Sequence, residues 1–575
     1  MTKRTTIDSD ELSAYHPLTQ TLLKNRGITT REEAEKFLHP DYERDIYDPF
    51  LILNMEKAVG RILAAIDHKE KIVVYGDYDC DGIPGSVILH DFFKKIGYKN
   101  FENYIPHRHT EGYGLNREAV EEFGKNGARL LITIDCGITD VEEVGHANSL
   151  GIDVIITDHH LPARGQRAGG QEEVLPPAYA ILNSKQQGDT YPDNMLCGAG
   201  VAWKLVSALL IKKRKEWGVG DGWEKWLLDM AGLSTVADMV PLRNENRVIA
   251  HYGLKVLRKS PRPGLMKLLR KLRVDQRYLT EEDIGFTIAP SINAASRMSV
   301  PFEAFELLST EDETVADTLS DHLNKMNETR KGIVAAMIKE AKHKIESKIL
   351  PEVIVVGNPA WRPGVLGLAA NRLMEDYQRP VFVWGREDSA HIKGSCRSDG
   401  SINVVELMTN VTAGVFIDVG GHALSGGFSV SHERIHFLEE EIATAYQKTE
   451  KNKKEENYGY NIDTELSLNS VSWDTYKRIE ELAPFGIGNP KPTFLFNDVE
   501  IVNIKSFGKE KNHLELLVAD KTGTHIPAIA FFTTAEDFSG LIKEGNTINL
   551  IATMEKSNFK RTPELRLRIV DIKKV

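Results

Sequence analysis

At 575 residues the chain is longer than one hydrophobic core can organise, so three or more domains are expected. With 41% hydrophobic and 27% charged residues it has an ordinary globular composition, without an apolar run long enough to span a membrane. The opening MTKRTTIDSDELS also lacks the apolar centre of a signal peptide, so a cytoplasmic protein with no membrane partner is expected. Its net charge of −11, from 72 basic and 83 acidic residues, excludes a generally basic nucleic-acid coat but leaves room for local basic tracks.

Residues 1–50 read as a small helical lead-in, because TREEAEKFLHP sets a cap at Thr30 ahead of acids in a first turn. Alternating strand and helix patterns follow, marking a parallel α/β domain over 51–305. KIVVYGDYDCD at 71–81 is an apolar run of the kind that forms a strand covered on both faces, and it ends on Asp77, Asp79 and Asp81. RLLITID ends on Asp135, and DVIITDHH ends on Asp158, His159 and His160. Open α/β sheets place ligands beyond the carboxyl ends of their strands. Crowded carboxylates take up protons unless a cation holds them, and the natural occupant is a hard divalent metal. Turn and capping chemistry would explain any one of these strand ends, but it explains three together poorly. Asp238 lies in the apolar stretch LLDMAGLSTVADMVPL, where an isolated acid needs a partner. Alone it reads as a helix-end acid, and beside a metal cluster as a last ligand. Cys80, Cys136, Cys197 and Cys396 are scattered without metal-knuckle spacing and read as reduced, small-residue filler.

Segment 164–176 is polar and glycine-rich and reads as a surface loop. Two basic runs, at 212–215 and 255–273, read either as solvated helix faces or as phosphate tracks. A polar, breaker-poor stretch predicts a connecting helix within 306–349, and a second α/β unit covers 350–448. The charged run 449–457 reads as a linker, and 458–575 carries short strands and turn signals expected of a small β-barrel.

Together GDYDCDG, TIDCG, TDHH, LCGAGVAWKL, VADMVPL, PSINAASRM, GSCRS, GGHALSGGF and PFGIGNPKPTF resemble the DHH phosphoesterase superfamily, and within it the RecJ family of single-strand-specific exonucleases. The resemblance implies an α/β fold: a DHH parallel-sheet domain, a long connecting helix, a second α/β DHH-associated domain and a C-terminal oligonucleotide-binding (OB-like) β-barrel. It implies two divalent cations, Mn²⁺ or Mg²⁺, one held by Asp81, Asp135, His159 and Asp238 and the other by Asp77, Asp79 and Asp135. Asp158 and His160 would orient His159 and contact the scissile phosphate, which makes Asp158, His159 and His160 the catalytic triplet. Two such cations clamp an in-line displacement, so no protein nucleophile is required. Arg108, Asn293, Arg297, Ser395, Arg397, Gly421 and His422 would face substrate phosphates, the last two in a loop with Gly420, Gly426 and Gly427. Phe507, Lys509, Lys511, Phe531, Phe532, Phe559, Lys560 and Arg561 mix rings with cations as a strand-stacking groove does.

Three positions depart from the family pattern. Arg362 follows Trp361 where a histidine is usual, and Ser291 and Ser296 replace an arginine and a glycine. The expected function is 5′→3′ hydrolysis of single-stranded DNA in recombination and repair, with a single-strand-binding protein or a helicase as partner. The alternatives are a DHH phosphodiesterase of short RNA or cyclic dinucleotides, which has no need of the extra barrel, and an inactive DNA-binding relative, which has no need of the acids.

Overall fold

The computed structural model describes residues 10–164, 173–386, 391–451, 461–508, 511–538, 540–557 and 562–575. Lys509, Phe559, Lys560 and Arg561 lie outside these residues, as do 165–172 of the expected loop and 452–457 of the expected linker. Helices α1 (Pro17–Asn25) and α2 (Arg31–Leu38) form the lead-in, and α2 carries a full capping box between Thr30 and Glu33.

The first unit is built on five strands: β1 (Lys71–Gly76), β2 (Phe101–Tyr104), β3 (Ala128–Ile134), β4 (Asp153–Thr157) and β5 (Ala180–Leu182). They lie in the order β2-β1-β3-β4-β5 and all pair in parallel. Ile72, Val73, Val74 and Tyr75 are all sealed from solvent, as a centre strand with helices on both faces demands. Helices α3 (Gly82–Lys95) and α4 (Gly198–Lys213) cover one face, while α5 (Leu228–Ala237) and α6 (Asn244–Leu257) pack together beyond them. Helix α7 (Ala289–Met298) follows a single π-helical turn at Ile284–Ile288, and it packs on α8 (Glu313–Glu346). At 34 residues α8 is ~51 Å long, and it leads into the second unit.

There, β6 (Ile354–Gly357), β7 (Val381–Gly385), β8 (Ile392–Arg397), β9 (Phe416–His422) and β10 (Ser425–Val430) lie in the order β9-β10-β8-β7-β6. Helix α9 (Leu366–Tyr377) packs against β7 and β8. The glycines expected to form a loop instead lie in the β9–β10 hairpin, where Gly420 opposes Gly427 and Gly421 opposes Gly426. Glycine has no side chain with which to signal a strand, so the pattern read as a turn.

The third unit is a closed barrel of β11 (Thr493–Phe507), β12 (His513–Ala519), β13 (His525–Ala530), β14 (Thr547–Ser557) and β15 (Glu564–Lys574). They neighbour in the order β11-β12-β13-β15-β14, with β14 pairing back to β11. The lead-in shares the barrel's core: Leu22, Leu23 and Phe37 are buried with Phe494, Phe496 and Leu550. Arg247 of α6 locks this junction, donating hydrogen bonds to the carbonyls of Phe37, Leu482, Ala483 and Pro484.

Candidate metal centre and substrate face

Because β1, β3 and β4 are neighbours in a parallel sheet, their carboxyl ends open side by side. The ladder runs on into the site: Asp77 N–H donates to Ile134 O, Asp135 N–H to Thr157 O and Asp158 N–H to Leu182 O, at 3.1, 2.9 and 3.1 Å. Asp135 turns out of β3 at φ 62°, a left-handed conformation that costs most residues roughly 1–2 kcal/mol and that Asp tolerates better than most. Two glycines give the acids room. A Cβ on Gly198 would lie 2.6 Å from Asp135 Cβ, and one on Gly82 would lie 2.4 Å from the Asp77 carbonyl oxygen.

Asp81 accepts N–H hydrogen bonds from Gly198 (2.6 Å) and Ala199 (2.8 Å) in the first turn of α4, where the helix dipole favours an anion. Asp79 Oδ1 accepts the Asp81 N–H at 2.8 Å, and Asp238 closes the C-terminal end of α5. Side-chain donors of Asp81, His159 and Asp238 lie within 4.8 Å of one another, as do those of Asp77, Asp79 and Asp135, and those of Asp135, His159 and His160. His159 Nε2 is 3.1 Å from Asp135 Oδ1, 3.6 Å from Asp238 Oδ2 and 3.7 Å from Asp81 Oδ2, so Asp135 stands between the first two groups.

Burial, reinforced by neighbouring carboxylates, pushes Asp81 up to about 6, pushes Asp238 up to about 9, and holds Asp77 and Asp135 well above the carboxylate range. Burial and then His160 push His159 down to about 3, which leaves a neutral ring with a lone pair to give. Asp77 Oδ1, Asp135 Oδ1 and His159 Nε2 are buried without a hydrogen-bond partner among the described residues. Carboxylate oxygens and one imidazole, crowded together and unsatisfied, fit a hard divalent cation, which would offset both the repulsion and the burial.

Asp158 has a different task. Its Oδ1 accepts the main-chain N–H groups of His159 (2.7 Å) and His160 (3.0 Å) and pairs with His160 Nδ1 at 2.8 Å, while Oδ2 accepts Ile138 N–H at 3.0 Å. Burial works to raise Asp158, but these bonds outweigh it and hold the carboxyl below its usual range. It therefore fixes His159 through the main chain and His160 through both main chain and ring.

The structure adds residues that no pattern announced. Tyr113 Oη bridges the Asp135 carbonyl and His160 Nδ1, both at 3.0 Å. Asn183, fully buried, donates to the His160 carbonyl at 2.9 Å. Tyr113 lies in PHRHTEGYG, beside the expected Arg108, so proximity in sequence was its one signal.

Arg108 lies over the Tyr78 ring at 4.9 Å, next to the acid loop. From α7, Arg297 reaches the second unit, donating to Gly364 O at 3.3 Å, while its own carbonyl meets His109 Nε2 at 3.2 Å. Arg397 donates to Ser395 Oγ at 3.1 Å, and Ser395 opposes Gly427 across the sheet. Gly421 and His422 sit on the exposed edge strand of that sheet. Asn293 Oδ1 is buried without a hydrogen-bond partner among the described residues. Part of the basic runs is engaged within the fold. Arg262 is buried between Asp91 and Asp229, Lys267 and Lys271 pair with acids of α8, and Lys212, Lys213 and Arg214 pair with Glu56, Glu216 and Glu224. On the barrel, Phe507, His513, Phe531 and Phe532 form a ring cluster with Arg568 over Phe531 at 4.6 Å, and Phe532 is 72% exposed.

Residues 71–233 match the DHH family N-terminal domain, 348–450 the DHHA1 domain and 462–571 the RecJ OB domain. A single-stranded-DNA-specific exonuclease RecJ of Haemophilus influenzae is 30% identical over 99% of this chain and 98% of its own length. The chain belongs to the RecJ family. The RecJ of Bacillus subtilis is 35% identical over 96% of this chain and 67% of its own length. A crystal structure of Thermus thermophilus RecJ in complex with Mn²⁺ covers 98% of this chain and 77% of that one with a TM-score of 0.80 at 23% identity, which establishes a shared fold. A further RecJ structure, bound to manganese, is 30% identical, with a TM-score of 0.59 over 69% of this chain and 95% of that one.

Proposed function

We propose that this protein is a 5′→3′ exonuclease that hydrolyses single-stranded DNA with two divalent cations, Mn²⁺ or Mg²⁺, in recombination and repair. Its setting is the cytoplasm, alongside a single-strand-binding protein or a helicase; among the described residues no helix is long and apolar enough to cross a membrane. One observation carries the reading: acids from three adjacent strand ends form two donor groups hinged on Asp135, beside arginines that lack carboxylate partners among the described residues. The substrate class comes from relatives named single-stranded-DNA-specific exonucleases.

Asp81, Asp135, His159 and Asp238 would hold one cation, and Asp77, Asp79 and Asp135 the other. Bound there, the pair would activate water and offset the charge that builds on the phosphate and the leaving oxygen. The protein's own part is to orient. Asp158 anchors His160 through Nδ1, which leaves Nε2 to meet a phosphate oxygen. Arg108, Arg297, Ser395 and Arg397 bind phosphate oxygens from opposite sides, with Asn293 beside them. Gly421 and His422 continue that face, and the barrel rings stack on bases further along.

Digestion of end-labelled DNA and RNA, single-stranded and blunt duplex, with Mn²⁺ or Mg²⁺ tests this reading. Mononucleotides should leave the 5′ end of single-stranded DNA. Equal rates on blunt duplexes, or no release from single strands, would overturn it.

A further inference from the structure

Four arginines crowd together where the two α/β units meet, and none has a carboxylate partner within 4.0 Å among the described residues. Arg297 feels the like charges of Arg108, Arg330 and Arg397, opposed by Asp79 of the acid loop. Arg297 and Arg397 touch the same turn: Arg297 donates to Gly364 O at 3.3 Å, and Arg397 Nη2 lies 3.0 Å from where a Gly367 Cβ would stand. Arg330, the fourth, comes from the middle of α8, the helix that joins the units.

Arg330 is held there in an unusual way. Its Nε and Nη2 donate to Asn327 Oδ1 at 3.0 and 2.8 Å. Asn327, 1% exposed, donates from Nδ2 to Ser291 Oγ at 2.9 Å, and the fully buried Ser291 donates to Thr287 O at 2.8 Å. A neutral amide fixes the guanidinium without cancelling its charge. Half-buried like charges repel unless an anion joins them, and a guanidinium with free donors is shaped for phosphate. Ser291, one of the departures from the family pattern, ends up as the acceptor that seats this arm.

We propose that Arg330 is a substrate-phosphate ligand delivered by the connecting helix, with Asn327 and Ser291 as its positioning residues. The proposal rests on the single-strand nuclease reading above. Engaging one backbone phosphate from α8 while Arg397 engages it or its neighbour from the second unit ties substrate binding to the relative placement of the two units.

The test uses the full chain with Mn²⁺ and a short 5′-phosphorylated single-stranded oligodeoxynucleotide. R330Q should raise KM about tenfold or more, as loss of a charged hydrogen bond does, with kcat and calorimetric Mn²⁺ affinity near those of the parent. The salt dependence of binding should flatten by about 0.7 in log–log slope, and R330K should recover part of the loss. N327D separates binding from scaffolding: the carboxylate still accepts from the guanidinium but cancels its charge, and the Ser291 hydroxyl can turn from Thr287 O to donate to it in place of the lost amide bond. N327D should raise KM as R330Q does while its unfolding temperature stays at or above the parent's. An unchanged KM in R330Q, or parental KM in N327D beside a defective R330Q, overturns the proposal. A parent chain that does not cleave single strands instead sinks the function reading.

Discussion

Asp135 shows how a single carboxylate can be unfavourable for the fold and required by the site. Its φ is positive, its Oδ1 is unsatisfied, and burial plus the neighbouring Asp81, Asp79 and Asp77 push its proton affinity up. Asp135→Asn keeps the shape and tolerates the same backbone but withdraws a charge from both donor groups. Turnover should fall by about 1,000-fold, the scale of several kcal/mol of lost transition-state charge stabilisation, while the metal-free variant unfolds at the same temperature or higher. Thermal unfolding with and without Mn²⁺ checks this, and a variant that Mn²⁺ stabilises as much as the parent counts against a shared ligand. The same acids set a pH dependence. Without a cation, the folded protein holds protons more tightly than the unfolded chain, whose carboxyls titrate near ~4. Metal-free stability should therefore decline as pH rises from that point through about 6 (Asp81) and on towards about 9 (Asp238). Cation binding needs the ionised forms, so Mn²⁺ should expel protons at neutral pH and bind more weakly in acid. Calorimetry in buffers of different ionisation enthalpy measures the release, and no net release would contradict it. Asp77, Asp79, Asp81, Asp135 and His159 were legible because a strand's apolar run stops abruptly on them. Asp238 was legible only beside that cluster, as an acid isolated in an apolar stretch, and Arg330, Asn327 and Asn183 gave no local signal, since their meaning comes from partners far away in the chain.

At the scale of elements, the site depends on how closely α4 can approach β3. Gly198 lets the first turn of that helix touch Asp135 while its N–H groups hold Asp81. Gly198→Ala would drive the helix and strand apart by several tenths of an ångström. It should weaken Mn²⁺ binding tenfold or more, an energy of about 1.4 kcal/mol, and leave the fold's secondary structure intact by circular dichroism. Unaltered Mn²⁺ affinity would show that the contact is slack. Periodicity exposed the parallel sheet and the connecting helix, because burial on two faces and polarity along a helix leave plain marks. It failed at the glycine hairpin of β9 and β10, where no side chains record the alternation. The basic run at 255–273 was ambiguous in sequence because the acids that pair with Arg262, Lys267 and Lys271 sit on α8 and in the core.

Over the whole molecule, the barrel is not a detachable module. Cutting the chain after 458 would bare Leu22, Leu23 and Phe37 and leave Arg247 without three of its four carbonyl acceptors. Such a truncation should aggregate or lose stability, so it cannot report cleanly on DNA binding. Phe532→Ala removes an exposed ring without touching that junction. It should weaken binding of long single strands by about 1–3 kcal/mol and spare kcat on short ones. Equal affinity for long strands, measured by fluorescence anisotropy, would make the ring cluster a surface for something other than bases. Length predicted several domains, but a core shared by residues near opposite ends of the chain leaves no local trace.

That shared core also bears on synthesis. Helices α1 and α2 leave the ribosome long before the strands that bury their leucines and Phe37 are made. At about 5–20 residues per second the wait is on the order of a minute. During that interval the DHH unit can close around its parallel sheet while the amino-terminal segment keeps a greasy face uncovered. The barrel thus completes the folding of helices made several hundred residues earlier, and a ribosome that stalls before the barrel releases a nascent chain suited to capture by chaperones.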